Sequence, residues 1–284
     1  MAERHSRFLT MPQTPRRLAG TAAGADASPR ESSLYVGSVA KAFQVLEAFR
    51  DTHREMSLAE IARAAQLDRS ATQRIVFTLE NLRYIQRLPN SNVYTLAPEV
   101  LRLSYNYLRS RRIIDRASPY LIEMTAALGE TSNLHELDGH EIVFLARIPG
   151  QHLFNVDFTI GSRLPAVYSA SGRAMLSCLS AAQRARVIAD TPRTKVTTQT
   201  ETEPDALLRH IAQAEKDGFA IAHNQTVIGD ISVGAPITDH HGLPVGAINI
   251  SVPATRWTIA RVESDLLPHV LLASTSISKI LDNI

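Results

Sequence analysis

The feature that most constrains the fold of this chain is a pair of short helical patterns within residues 57–82. Ser57 and Glu60 stand three residues apart ahead of an apolar run, which is the capping-box pattern at a helix start. After the short segment 65–67, Asp68 is a favourable N-cap for a second helical pattern that continues to residue 82. Two short helices joined by a turn of three or four residues predict a helix-turn-helix.

A predicted β-hairpin follows directly. Residues 84–88 are strand-like, residues 89–92 form a Pro-Asn-Ser-Asn turn cluster, and residues 93–96 alternate like a returning strand. A hairpin behind the second of two such helices is typical of a winged helix-turn-helix.

The start of the 69–82 helical pattern carries polar side chains, as expected of a helix that enters the major groove with its N-terminal residues. The candidates for base edges are Arg69, Thr72 and Gln73. The candidates for phosphate contacts are Ser70, Arg74 and the wing residue Arg87. The alternative is a three-helix module with a solvated polar face and no nucleic acid.

Charge is divided unevenly along the chain. Residues 34–112 hold 12 Lys and Arg against 7 acids, whereas residues 113–284 hold 13 against 18. The division favours a polyanionic partner, double-stranded DNA, for the first of these segments only.

The chain begins with 33 residues that are poor in large apolar side chains, and we expect them to form a disordered tail. Ordered structure is predicted from residue 34, with a first helix capped by Ser38. No apolar run is long enough to span a membrane. A single cysteine fits a reducing cytoplasm.

Residues 98–116 are predicted to form a connecting helix that carries apolar and Arg side chains. Beyond it we expect a domain with a helix over 119–128 and strands over 131–137 and 141–148. A turn of small residues at 169–172 then begins another helix, and the N-terminus of a helix suits a carboxylate. The alternative is a helix capped by Ser169 or Ser171 without any ligand.

Several segments, in order along the chain, resemble the IclR family of bacterial regulators. They are Gly37–Leu46, Ser57–Ala62, Arg74–Glu80, Tyr94–Leu96, Gly129–Thr131, Ala170–Ala174, Ala235–Ile237 and Ile250–Pro253. The resemblance extends from residue 37 to about residue 280. Ala71, Arg83 and Ala97 depart from the residues that are usual in the family.

The resemblance implies an α+β protein whose operator binding is controlled by a small-molecule effector. It implies a winged helix-turn-helix over 34–97, a linker helix over 98–116 and an effector-binding domain with a GAF- or PAS-like cup over 117–284. It also implies that the linker helix pairs subunits into a homodimer or homotetramer. Two-fold pairing would present two recognition helices to successive major-groove faces.

Effectors of the family are usually small organic acids bound in the cup. The matching positions are Ala170, Ser171, His223, Ser232, Asn249 and Ser251. The loop 153–158 is expected to add apolar walls. Ala222 and Asn249 differ from one well-known family pattern, so the identity of the ligand does not transfer.

Enzymatic chemistry has weak support in the sequence. Cys178 lies in an apolar helical pattern, which favours a buried structural thiol over a nucleophile. The histidines lack a metal-ligand spacing, and no phosphate-binding glycine motif occurs, so no metal or cofactor is expected. The remaining alternatives are a small-molecule hydrolase with a vestigial helical domain, and a winged-helix protein-interaction module.

Overall fold

A computed structural model describes residues 32–50, 52–151 and 158–282 of the chain. The chain divides into two compact units, Met1–Arg109 and Ser110–Ile284. Almost all of the predicted tail, and most of the loop 153–158, lie outside the described residues.

Within its described residues up to 97, the first unit contains three helices and a small antiparallel sheet in the order β1-β3-β2. Its helices are α1 Gly37–Glu47, α2 Leu58–Ala64 and α3 Arg69–Asn81. Its strands are β1 Met56–Ser57, β2 Ile85–Arg87 and β3 Val93–Leu96. The predicted helix-turn-helix and hairpin are therefore confirmed.

Side-chain caps determine where two of these helices begin. The Ser57 hydroxyl accepts from the Glu60 amide at 3.4 Å, and the Glu60 carboxylate accepts from the Ser57 amide at 2.8 Å. Asp68 accepts from the Ala71 amide at 2.7 Å at the start of α3. The prediction for Ser38 was wrong, because α1 begins one residue earlier and has no side-chain cap.

The core of this unit lies between the three helices and the hairpin. It is formed by Val45, Ala48, Met56, Ile61, Ala65, Val76, Leu79 and Ile85. Ile75 packs against this core, whereas Leu82, at the C-terminal end of α3, is 57% exposed.

The predicted connecting helix 98–116 is two helices in the structure. Helix α4 spans Glu99–Ser110 and α5 spans Arg112–Leu128, and the helical geometry is interrupted at Arg111. Pro119, predicted to open a new helix, lies inside α5. A proline removes one backbone donor from a helix. At the residue directly before Pro119, the Ser118 hydroxyl donates to the carbonyl of Ile114 at 2.6 Å.

The second unit is built on a six-stranded sheet in the order β6-β5-β4-β9-β8-β7, in which every neighbouring pair is antiparallel. The strands are β4 Thr131–Asp138, β5 Glu141–Ile148, β6 Arg163–Pro165, β7 Ala220–His223, β8 Asp230–Thr238 and β9 Pro244–Pro253. The predicted strands over 131–137 and 141–148 are confirmed, and Gly139 turns between them with φ of 66°. The protein is therefore α+β.

Further helices complete this unit. They are the 3₁₀ turn Ala166–Tyr168, α6 Ala170–Ser177, α7 Ala181–Asp190, α8 Pro204–Asp217, α9 Ile259–Arg261, the π-helical turn Val262–Leu266 and α10 Leu267–Asp282. The two faces of the sheet have different neighbours. Ser132 bonds to the Leu121 carbonyl of α5, so its strand neighbours Thr131 and Asn133 face the other side, towards α6.

Candidate functional site

The exposed face of α3 carries most of the predicted DNA-contacting residues. Arg69, Ser70, Gln73 and Arg74 are all exposed, and their spacing places them on one stripe of the helix. Phe77 extends the same stripe by one turn and is 67% exposed. Sequence reasoning missed Phe77, although its position four residues after Gln73 was the available signal.

Thr72 is a correction to the predicted set. Its side chain is fully buried, and its hydroxyl donates to the Asp68 carbonyl at 2.8 Å. The reason is geometric, because adjacent helix residues lie about 100° apart around the axis. When Gln73 faces outward, Thr72 faces the core and has no access to a base edge.

Arg87 lies on the wing and is exposed. Its Nε donates to the Ser91 carbonyl at 2.7 Å, and its guanidinium also bonds to Asn92. Arg87 therefore holds the turn of the wing while keeping its charge at the surface.

The second unit contains a small cavity of about 30 Å³ on the α6 side of the sheet. Ten of its fourteen lining side chains are polar or charged, and four are apolar. The lining residues are Thr131, Asn133, His135, Ile142, Phe144, Arg147, Phe158, Leu164, Ser169, Thr226, Asp230, Ser232, Asn249 and Ser251.

Of the six predicted effector residues, Ser232, Asn249 and Ser251 meet at this cavity. Ser232 of β8 pairs with Ser251 of β9, and Asn249 lies two residues before Ser251 on β9. Because alternate strand residues share a face, these three side chains are directed to the same side of the sheet.

The other three predicted residues do not line the cavity. Ala170 and Ser171 are fully buried at the start of α6, which packs directly on the sheet. A side chain at Gly234 would come within 3.0 Å of the Ser171 backbone nitrogen, so this close approach requires glycine. His223 is exposed at the end of β7, with its ring 3.1 Å from the Asn224 amide.

The start of α6 reaches the cavity through Ser169 instead. Ser169 is the N-cap of α6, and its hydroxyl accepts from the Gly172 amide at 3.0 Å. The capped-helix alternative is therefore present at the edge of a cavity.

Arg147 was missed by sequence reasoning, and it orders the polar wall. Its guanidinium donates to the Asn133 side-chain oxygen at 3.1 Å, and the Asn133 nitrogen donates to the Asn249 oxygen at 2.8 Å. Because a guanidinium only donates, the Asn133 atom that it contacts must be the oxygen, and the Asn133 nitrogen must then donate to the Asn249 oxygen. The Asn249 nitrogen is therefore left as a donor at the cavity. The signal in the sequence was weak, because the pairing of Asn133 with Arg147 depends on strand register.

Asp230 places a carboxyl group in the same polar region. It accepts a hydrogen bond from the Ser251 hydroxyl. Burial raises the pKa of Asp230 to about 7, against the opposing effects of the Ser251 bond and the Arg147 charge. When the Asp230 carboxyl is ionised, the Ser251 hydroxyl donates its proton to it, and the Ser251 oxygen can accept from a ligand.

Phe158 is the described part of the loop predicted to supply apolar walls, and it does line the cavity. Its ring lies 5.1 Å from the ring of Phe144. Ile142 and Leu164 pair across β5 and β6 at the same end of the cavity. That end is therefore apolar, whereas the Asp230 end is polar.

The described residues give no geometric support to a cysteine nucleophile or to a metal site. Cys178 is half-buried with its sulfur 3.6 Å from the Ala174 carbonyl, and burial raises its thiol pKa. Across residues 32–50, 52–151 and 158–282, no three His, Cys, Asp or Glu side chains assemble as metal ligands. No helix in the described part of the chain is both long and apolar enough to cross a bilayer.

A winged helix with an exposed polar recognition helix, on one chain with an α+β unit that holds a cavity, defines a DNA-binding regulator with a ligand-sensing domain. Comparison with known families identifies which one. Residues 38–89 match the IclR helix-turn-helix domain, and residues 105–279 match the C-terminal domain of the bacterial transcriptional regulator IclR. The chain belongs to the IclR family of transcriptional regulators and is not an enzyme.

Individual relatives agree. The chain is 30% identical to the Pca regulon regulatory protein of Pseudomonas putida, over 84% of this chain and 82% of that protein. The crystal structure of a transcriptional regulator from Rhodococcus sp. RHA1 is similar, with 33% identity, a TM-score of 0.76 and coverage of 87% and 98%. An IclR homologue from Microbacterium hydrocarbonoxydans, crystallised with 4-hydroxybenzoate, shares the fold at 23% identity and a TM-score of 0.72, covering 86% and 98%.

Proposed function

We propose that a small organic acid binds the cavity of the second unit and changes the affinity of the regulator for its operator. An effector shifts such an equilibrium only when it binds the DNA-competent and DNA-incompetent arrangements unequally. The cavity is the observation that carries the proposal, because it combines an Arg147-ordered polar wall with an apolar end.

Arg147 and the Asn249 nitrogen are suited to an effector carboxylate. A guanidinium binds a carboxylate through charge-assisted hydrogen bonds, which are stronger than neutral ones. Ser232 adds a hydroxyl on the neighbouring strand. The family resemblance and the 4-hydroxybenzoate bound to the Microbacterium homologue both support an acid.

For the operator, we infer that Arg69 and Gln73 contact base edges and that Ser70, Arg74 and Arg87 position the phosphates. Their exposure on α3 and the wing supports the assignment. Since double-stranded DNA is the partner, the protein acts in the cytoplasm.

We also infer a homodimer or homotetramer that pairs through α4. Leu101 and Tyr105, four residues apart on this helix, are 68% and 62% exposed. Large apolar side chains exposed together favour burial against another subunit.

The operator assignment is tested by measuring DNA affinity against salt on a selected site and on random duplex. Gln73→Ala should lose about 1–3 kcal/mol on the selected site and little on random DNA. Arg74→Ala should weaken both and lower the salt slope by about one. An unchanged specificity ratio for Gln73→Ala would remove that residue from the readout.

The effector assignment is tested by screening organic acids for thermal stabilisation and for altered operator affinity. Ser232→Ala should weaken binding of a hit about ten- to a hundredfold, since a hydrogen bond to a charged group contributes about 1.5–3 kcal/mol. Ser264→Ala, an exposed serine outside the cavity, is the matched control. Equal binding to parent and Ser232→Ala would place the ligand elsewhere.

A further inference from the structure

His135 is a buried polar side chain whose hydrogen bonding is incomplete. It is 1% exposed, and its Nδ1 lies 2.9 Å from the Ser171 hydroxyl. Its Nε2 is buried and has no hydrogen-bond partner among the described residues. A buried polar atom without a partner costs free energy, so its presence needs an explanation.

The imidazole is neutral. Burial, and then the Arg147 charge, lower the pKa of His135 to about 3. A neutral imidazole carries one proton. If Nδ1 accepts from the Ser171 hydroxyl, Nε2 is a donor, and if Nδ1 donates to that hydroxyl, Nε2 is an acceptor.

Strand register places His135 at the apolar end of the cavity. Along β4, Thr131 faces Ser251, Asn133 faces Asn249 and His135 faces Ala247. The ring of His135 stands edge-on to Phe144, with the centroids 4.3 Å apart. Nε2 is thus an unpartnered polar atom among apolar walls, on a side chain that lines the cavity.

The distance between the two ends limits the shape of a ligand. Asn133 and His135 are two strand residues apart, a rise of about 6.6 Å. This is close to the length of a six-membered ring that carries polar groups at opposite positions. Phe144 and Phe158 would pack against such a ring.

We propose that Nε2 of His135 receives a hydroxyl group on the effector, opposite the carboxylate that Arg147 and Asn249 bind. A hydroxyl both donates and accepts, so it satisfies Nε2 in either tautomer. The effector class is then a ring-bearing carboxylic acid with a distal hydroxyl. This inference rests on the proposed function and adds a residue that selects among acids.

The test compares 4-hydroxybenzoate with benzoate, which differ only in the hydroxyl. Calorimetry on the full-length parent should show about tenfold or more preference for 4-hydroxybenzoate. In His135→Phe, which keeps a ring of similar shape, the preference should disappear. His223→Phe, a histidine outside the cavity, should keep it.

A second measurement needs no substitution. The Nε2 shift of ¹⁵N-labelled His135 in the parent should change with 4-hydroxybenzoate and stay near its free value with benzoate. A preference that survives in His135→Phe, or an Nε2 shift that ignores 4-hydroxybenzoate, overturns the inference. If both acids bind equally and Ser232→Ala weakens both, the proposed function stands and the role of His135 does not. If no acid binds, both fail.

Discussion

At the scale of single residues, neighbouring positions of α3 have different roles, because one side chain faces the core and the next faces solvent. Thr72 is buried and bonded to Asp68, whereas Gln73 and Phe77 are exposed on the opposite side. An exposed aromatic ring on a recognition helix is suited to apolar contact with a thymine methyl group.

Phe77→Ala is therefore expected to remove sensitivity to one thymine methyl. When that thymine in a selected operator is replaced by deoxyuridine, the parent should lose about 0.8 kcal/mol, or about fourfold in affinity. The variant should bind both duplexes equally, as measured by fluorescence anisotropy. Leu82→Ala, an exposed residue on the other face of the helix end, should behave like the parent. A parent that is insensitive at every thymine would contradict this role.

Asp230 should make the stability of the second unit depend on pH in a defined direction. Its folded pKa of about 7 lies above the ordinary value of 3.8, so the carboxyl holds its proton more tightly when folded. The contribution is present below about pH 4 and is lost as the pH rises to about 7. Asp230→Asn should avoid this loss.

The measurement is the unfolding free energy of parent and Asp230→Asn from pH 4 to 8. The difference in favour of the variant should grow with pH by a few kcal/mol, at about 1.4 kcal/mol per pKa unit. His135 changes the parent and the variant alike, because its lowered pKa destabilises both as the pH falls. A constant difference across the range would mean that Asp230 titrates normally.

At the scale of elements, α3 begins where a side chain caps it. Asp68→Ala removes the acceptor of the Ala71 amide and should destabilise the first unit by about 1 kcal/mol, as measured by denaturant unfolding. Ser38→Ala is the control, because Ser38 makes no cap and lies exposed in α1. Equal losses from the two substitutions would contradict the cap assignment.

The linker region shows the limit of element prediction. The apolar pattern over 98–116 is continuous, so periodicity alone predicts one helix. The structure instead interrupts the helix at Arg111, whose guanidinium forms an ion pair with Glu136 of β4 at 2.7 Å. Pro119 was predicted to begin a new helix, but it lies inside α5.

At the scale of the whole molecule, α4 carries the proposed pairing surface. Leu101, Tyr105 and Leu108 recur at four- and three-residue spacing, while Asn106 lies on another side of the helix. Leu101→Arg should therefore convert the dimer or tetramer to smaller species in sedimentation experiments and weaken operator binding. Asn106→Arg should leave the assembly intact. If both variants keep the parent's mass, the subunits pair through another surface.

The sequence by itself determined the helix-turn-helix, its wing and the strands β4 and β5 of the six-stranded sheet, because caps, turns and apolar spacing act over a few residues. The family resemblance also pointed to Ser232, Asn249 and Ser251, and these three line one cavity in the structure. Tertiary structure alone decided the exclusion of His223 from the cavity and the inclusion of His135, Arg147 and Asp230. These depend on strand register and on the close approach of α6 to Gly234; the register alone pairs residues more than a hundred positions apart, such as Asn133 and Asn249. Such contacts leave no local pattern, since the partners of a strand residue are set by pairing and not by its neighbours in sequence.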